Sequence, residues 1–155
     1  MNLIIKQKIL SWFDSYNIYD ENGNVLYVVK GQLSWGHKFV IYDANGQELG
    51  CIKEKIWSLF SIYEIYKNDN KIGQIKRKFS LFKPKFYCDL GGYEIEGNVW
   101  EHKYQIKKNN NIVATINKKF FSLSDTYTIE TSKEESFNVL LIAIAIDADN
   151  CNDND

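Results

Sequence analysis

The chain has 155 residues, 45% of them hydrophobic and 15% aromatic, with a formal net charge of −1. It is long enough to bury one substantial core without staples, and with a single proline it is neither disordered nor collagenous. A near-neutral chain whose one arginine is Arg77 lacks the footprint of a nucleic-acid binder, because lysine offers a point charge where arginine offers a fork.

From the N-terminus, Met1 to Leu10 carries apolar residues, but Lys6 and Lys8 interrupt them where a secretory signal needs an unbroken run. Cys51, Cys88 and Cys151 are widely spaced, with no CxxC, so reduced thiols and a cytoplasmic chain are expected. Alternating runs then predict twelve strands, at about 3–9, 14–20, 25–31, 37–43, 47–55, 61–67, 71–78, 85–89, 93–97, 102–108, 112–118 and 125–131. Within them one hairpin repeats: an aromatic-x-Ile run, an Asn- or Gly-rich turn, and a second run ending Ile-Lys. It occurs at Phe39–Ile41 with Ile52–Lys55, Tyr63–Ile65 with Ile75–Lys78 and Tyr104–Ile106 with Ile116–Lys119, with partial copies from Tyr16 and Tyr127. Gly50, Gly73 and Ala114 occupy one equivalent position, two before the second Ile, either to admit a buried element or because a bulge sits there.

Antiparallel neighbours alternate in direction, so the Asn/Gly turns gather at one end of the sheet. The remaining loops gather at the other, and they hold Trp12, Trp35, Trp57, Phe60, Phe79, Phe82, Trp100 and Phe120. Lys53, Lys55, Lys76, Arg77, Lys78, Lys83, Lys85, Lys118 and Lys119 flank the same loops.

Last comes Phe137 to Ile146, apolar on every side. Ser132 followed by Glu135 predicts a helix start, so a helix is expected at about 132–147, followed by an acidic tail at 148–155. Residues 132–155 hold six acids and one lysine, a net of −5 that leaves +4 on residues 1–131. A twelve-stranded sheet escapes its exposed edges by closing, and the closed lumen is too wide for side chains alone. The expected fold is therefore all-β with one helix: a closed twelve-stranded antiparallel barrel around a buried C-terminal α-helix. A β-trefoil also has twelve strands, but it leaves the terminal helix unexplained.

Tyr27–Gly31, Phe39–Gly46, Tyr93–Asn98, Ser124–Glu130 and Ile142–Asp147 together make the chain resemble the LURP-one-related, or YxjI, family. That family shares the tubby C-terminal and phospholipid scramblase fold, so the resemblance implies the same barrel around a central helix. The tubby branch binds phosphoinositides and scramblase relatives act at membranes, but no lipid-contacting residue maps onto a position here.

Gly-x-Ser-x-Gly, Walker and Rossmann patterns are absent, and His37 and His102 have no placed nucleophile. No catalytic motif, metal or cofactor is expected. The expected function is a binding module in which the nine basic residues meet an anionic phospholipid or membrane surface, with Trp57, Phe60 and Phe82 facing it. The competing possibility is that the aromatics plug the barrel, and the alternative function is an intracellular protein-interaction scaffold. A further expectation is that the acidic tail covers the lysines and competes with an anionic ligand.

Overall fold

The computed structural model describes residues 1–6, 15–81, 85–121 and 124–152. Twelve strands precede one helix: β1 (Asn2–Ile5), β2 (Ser15–Tyr19), β3 (Val25–Ser34), β4 (Gly36–Asp43), β5 (Glu48–Glu54), β6 (Ile62–Lys67), β7 (Asn70–Lys78), β8 (Lys85–Asp89), β9 (Tyr93–Asn98), β10 (Lys103–Lys108), β11 (Asn111–Phe121), β12 (Ser124–Thr131) and α1 (Ser136–Asn152). They form one antiparallel sheet in the order β8-β7-β6-β5-β4-β3-β2-β1-β12-β11-β10-β9, a nearly closed barrel. Residues 7–9 of the expected first strand lie outside the described residues.

The repeat is the layering of the core. Phe39 faces Ile52, Tyr63 faces Ile75 and Tyr104 faces Ile116; one layer on, Ile41 faces Gly50, Ile65 faces Gly73 and Ile106 faces Ala114. All these side chains point inward, since strand residues two apart share a face, and the isoleucines are fully buried. Immediately after each Ile–small pair the register shifts, so the small residue marks a bulge in every copy. At Gly50 a Cβ would lie 2.6 Å from the Tyr66 carbonyl oxygen and 3.3 Å from the Phe137 ring of the helix. At Gly73 the neighbour is backbone alone, because a Cβ would stand 2.1 Å from the Asp89 carbonyl oxygen. The bulge explanation of the small residues thus holds in every copy, and at Gly50 the helix approaches as well.

Outside, lysines lie over aromatic rings on the neighbouring strand: Lys30 over Tyr42 at 4.9 Å, Lys53 over Tyr66 at 4.8 Å and Lys78 over Tyr87 at 5.1 Å. Each such pair contributes on the order of 0.5–1 kcal/mol at an exposed site and covers ring surface that water would otherwise meet.

The helix fills the barrel. Val139 to Ile146 are all buried, as a helix without a polar face requires. Its start is fixed at the turn end, where the Glu135 amide donates to Ser132 Oγ at 3.3 Å. The Glu135 carboxylate accepts from Lys108 at 2.8 Å and from the Tyr93 hydroxyl. These bonds, that of Lys108 first, hold the Glu135 carboxyl below its ordinary value of 4.5. A depressed native pKa contributes stability that is present above the unfolded value and lost as pH falls through the native one. In urea unfolding between neutral pH and about pH 3, Glu135→Gln should therefore show a shallower acid loss of stability than the parent. Equal slopes would show that this ion pair does not matter to folding.

The helix boundaries differ from expectation. Residues 133–135 form a turn, and α1 runs on to Asn152, so 148–152 are helical where a tail was expected. Ala148 is buried as an apolar core residue, and Asp149 and Asn150 are buried because Arg77 and the Val99 carbonyl on the barrel wall receive them. Residues 153–155 lie outside the described residues.

Candidate functional site

Two layers make up the end of the barrel opposite the helix start: a buried polar floor and an exposed apolar crown. In the floor, His102 Nε2 bonds Asp147 Oδ1 at 2.7 Å, Arg77 lies 3.5 Å from Asp149, and Asn150 donates to the Val99 carbonyl at 3.0 Å. Burial pushes the Asp147 carboxyl up from 3.8, and the His102 and Tyr127 hydrogen bonds oppose that rise. Acids at a helix C-terminus also oppose its dipole, so these carboxylates persist only because cations face them. His102 is the hydrogen-bond partner of Asp147, with Lys118 nearby.

This pairing divides the basic residues. Side chains alternate across a strand, so Lys76 and Lys78 point outward while Arg77 between them points in toward Asp149. Lys118 is inward by the same alternation, two after buried Ile116. Lys53, Lys55, Lys78 and Lys85 are exposed, and Lys76 is half-buried over the Phe60 ring at 5.9 Å. Arg77 and Lys118 thus neutralise the helix end and are not surface cations. Lys119 lies in β11 with its side chain outside the described set, and Phe82 and Lys83 lie wholly outside it.

Among the described residues, the crown faces outward and does not plug the barrel. Trp35 is 85% exposed, Trp57 94%, Leu59 92%, Phe79 76% and Leu81 78%, while Trp100 is half-exposed. Asp147 bonded to His102 and Asp149 beside Arg77 occupy this end from within, and of the described aromatics Trp35, Trp57 and Phe79 do not plug it; Trp12, Phe82 and the Phe120 side chain lie outside the described set. The described loops are braced against one another. Gly36 lies so close to Ile56 that a Cβ would stand 2.9 Å from its side chain, and His37 Nδ1 meets Glu54 at 2.5 Å, joining the Trp35 turn to the Trp57 loop. Arg77 N–H donates to the Ser61 carbonyl at 3.1 Å, joining that loop to β7. Trp57 has φ 67°, a left-handed conformation that costs a bulky side chain energy, yet its ring gains no burial there. Trp35, Leu59, Phe79 and Leu81 were not singled out beforehand as surface-facing; their loop positions gave the end of the barrel but not the direction of the side chain.

Burial raises the thiol pKa of Cys51, and that of Cys88 to about 12, so both stay protonated. Among the described residues no helix is long and apolar enough to cross a membrane.

The comparisons agree with this architecture. The family model described as LURP-one-related matches residues 1–147. The uncharacterized protein YxjI of Bacillus subtilis (strain 168) is 31% identical over 157 residues, spanning 100% of this chain and 97% of YxjI. The X-ray structure of an Arabidopsis thaliana protein superposes with a TM-score of 0.62 at 19% identity, covering 94% of this chain and 90% of that one, and so shares the fold. With its repeat, barrel and central helix accounted for, this chain belongs to the LURP-one-related family.

Proposed function

We propose that the chain is a non-enzymatic module that docks its crown on an anionic membrane surface, such as a cytoplasmic leaflet. The observation that carries this is the set of exposed apolar side chains Trp35, Trp57, Leu59, Phe79 and Leu81 on braced loops at one end. Isolated exposed apolar residues are ordinary, but a cluster confined to one end marks an interaction surface. Tryptophan and phenylalanine suit headgroup depth, and the outward Lys53, Lys55, Lys76, Lys78 and Lys85 supply charge beside them. Near an anionic leaflet each lysine contributes on the order of 1 kcal/mol. Asp147 and Asp149 do not compete with a ligand for those lysines, since both are held inside the barrel.

Sedimentation with vesicles of phosphatidylcholine, with and without phosphatidylserine, tests this. The protein should pellet only with the anionic vesicles and be released by salt. Lys76→Glu combined with Lys78→Glu should weaken binding by at least about tenfold, and Trp57→Ala should weaken it without altering the salt dependence. Equal binding of the charge-reversed protein would dismiss the reading. A protein-interaction scaffold is then the remaining alternative.

A further inference from the structure

Two crown loops set a serine inside an apolar run: Trp57-Ser58-Leu59-Phe60 and Phe79-Ser80-Leu81-Phe82. Each follows basic residues, Lys53 and Lys55 before the first and Lys76, Arg77 and Lys78 before the second. A cation about three residues before a serine is the charge pattern that a protein kinase with an acidic substrate groove selects. From spacing alone Ser80 is the better target, since Arg77 stands three residues before it. The fold reverses that order. Arg77 points inward and lies 3.5 Å from Asp149, Lys76 is half-buried over the Phe60 ring, and Ser80 itself is half-buried.

Ser58 differs from the other described serines of this end. Ser15, Ser34 and Ser124 stand in strand ladders, and Ser61 is half-buried, whereas Ser58 is exposed and outside every ladder. Lys55, three residues before it, and Lys53, five before, are both exposed, and Glu54 between them is turned to His37 at 2.5 Å. The loop is fixed at its feet, where the Lys55 amide donates to the Ile62 carbonyl at 2.8 Å and the Ser61 carbonyl accepts from the Arg77 amide at 3.1 Å. Between those feet residues 57–60 are all exposed, and Trp57 holds its φ of 67° without gaining burial. Drawing this tip into an extended form within another protein's cleft therefore breaks no strand pairing and relieves strain.

We propose that Ser58 is a phosphorylation site whose modification releases the crown from the membrane, an inference that rests on the docking reading above. A serine kinase transfers the γ-phosphoryl group of ATP to Ser58 Oγ. The Oγ–P bond forms, the bond from the γ-phosphorus to the β–γ bridging oxygen breaks, ADP leaves, and the hydroxyl proton passes to the catalytic-loop aspartate of the kinase. The product carries about 1.5–2 negative charges at neutral pH. It sits between Trp57 and Leu59, the two most exposed apolar side chains of the crown, so docking must desolvate it and bring it against like-charged lipid. Its charge also offsets roughly two of the outward lysines that attract the leaflet. Apolar contact and lysine attraction are thus switched off at one atom.

The test joins phosphorylation in vitro to vesicle sedimentation, both on the full-length protein. A serine kinase selective for basic residues, with ATP, should place a phosphate on Ser58, read by mass spectrometry of the digested protein, and Ser58→Ala should remove that signal. The phosphorylated protein should bind vesicles of phosphatidylcholine and phosphatidylserine at least about tenfold more weakly than the parent, and Ser58→Ala should bind as the parent does. Phosphatase should restore binding, which separates the effect of charge from damage to the fold. Vesicles added first should slow phosphorylation, because docking covers Ser58. Phosphate on Ser80 in place of Ser58, no phosphate on the folded protein, or equal vesicle binding before and after phosphorylation would each overturn the proposal. If the unmodified protein itself fails to pellet with anionic vesicles, the docking reading falls and this one with it; if it pellets and the phosphorylated form pellets equally, this one falls alone.

Discussion

Ile144→Asp should yield no cooperatively folded protein. Ile144 is fully buried in α1 and surrounded by barrel wall on every side. The substitution forfeits the transfer free energy of a buried isoleucine, about 2–5 kcal/mol when a cavity is left. It also places a carboxylate where its burial costs several kcal/mol more, even after relaxation. Together these approach the whole stability of an ordinary domain, about 5–15 kcal/mol. The contrast with Asp147, three residues on, is chemical: Asp147 has His102 at 2.7 Å. Ile144→Val should cost only about 0.5–1.5 kcal/mol. Near-ultraviolet circular dichroism and urea unfolding separate these outcomes, and a folded Ile144→Asp protein of near-normal stability would show that the helix is not the packing centre.

Gly73→Leu comes next in severity, with an expected loss of about 3 kcal/mol or more. The obstacle is the Asp89 carbonyl 2.1 Å from the would-be Cβ, and backbone cannot swing aside as a side-chain tip does. Gly73→Ala should therefore lose most of the same stability, although it adds one carbon. Substitution with Ala at Gly46, where φ is +84° but nothing lies within 4 Å, should cost only the strain of a left-handed residue, about 1–2 kcal/mol. If Gly73→Ala proved as mild as that in thermal unfolding, the close approach of β7 and β8 would be mistaken.

The barrel was legible because its repeat is a packing rule. Once Phe39, Tyr63 and Tyr104 are known to share a face with Ile41, Ile65 and Ile106, the cross-strand layers and the need for a filler follow from alternation and strand number. The helix end was not legible. Ala148 to Asn152 reads as part of a polar tail in isolation, and only the arrival of His102 at Asp147 and Arg77 at Asp149, from strands remote in sequence, makes the burial of this helix end tolerable. The same tertiary pairing removed Arg77 and Lys118 from the surface, although plain alternation from Ile75 and Ile116 already placed both on the inner face. The crown was located but its exposure was hidden, because aromatic content does not say whether a ring plugs a lumen or faces water.

The position of α1 after all twelve strands carries a temporal consequence. On a ribosome the wall is made before its filling, and β1 cannot close onto β12 until β12 has emerged. The isoleucines of the inner face must therefore wait, unsheltered, for α1 to be synthesised. Such distant pairings make folding slow, and they make the nascent chain rather than the finished barrel the state most prone to aggregate.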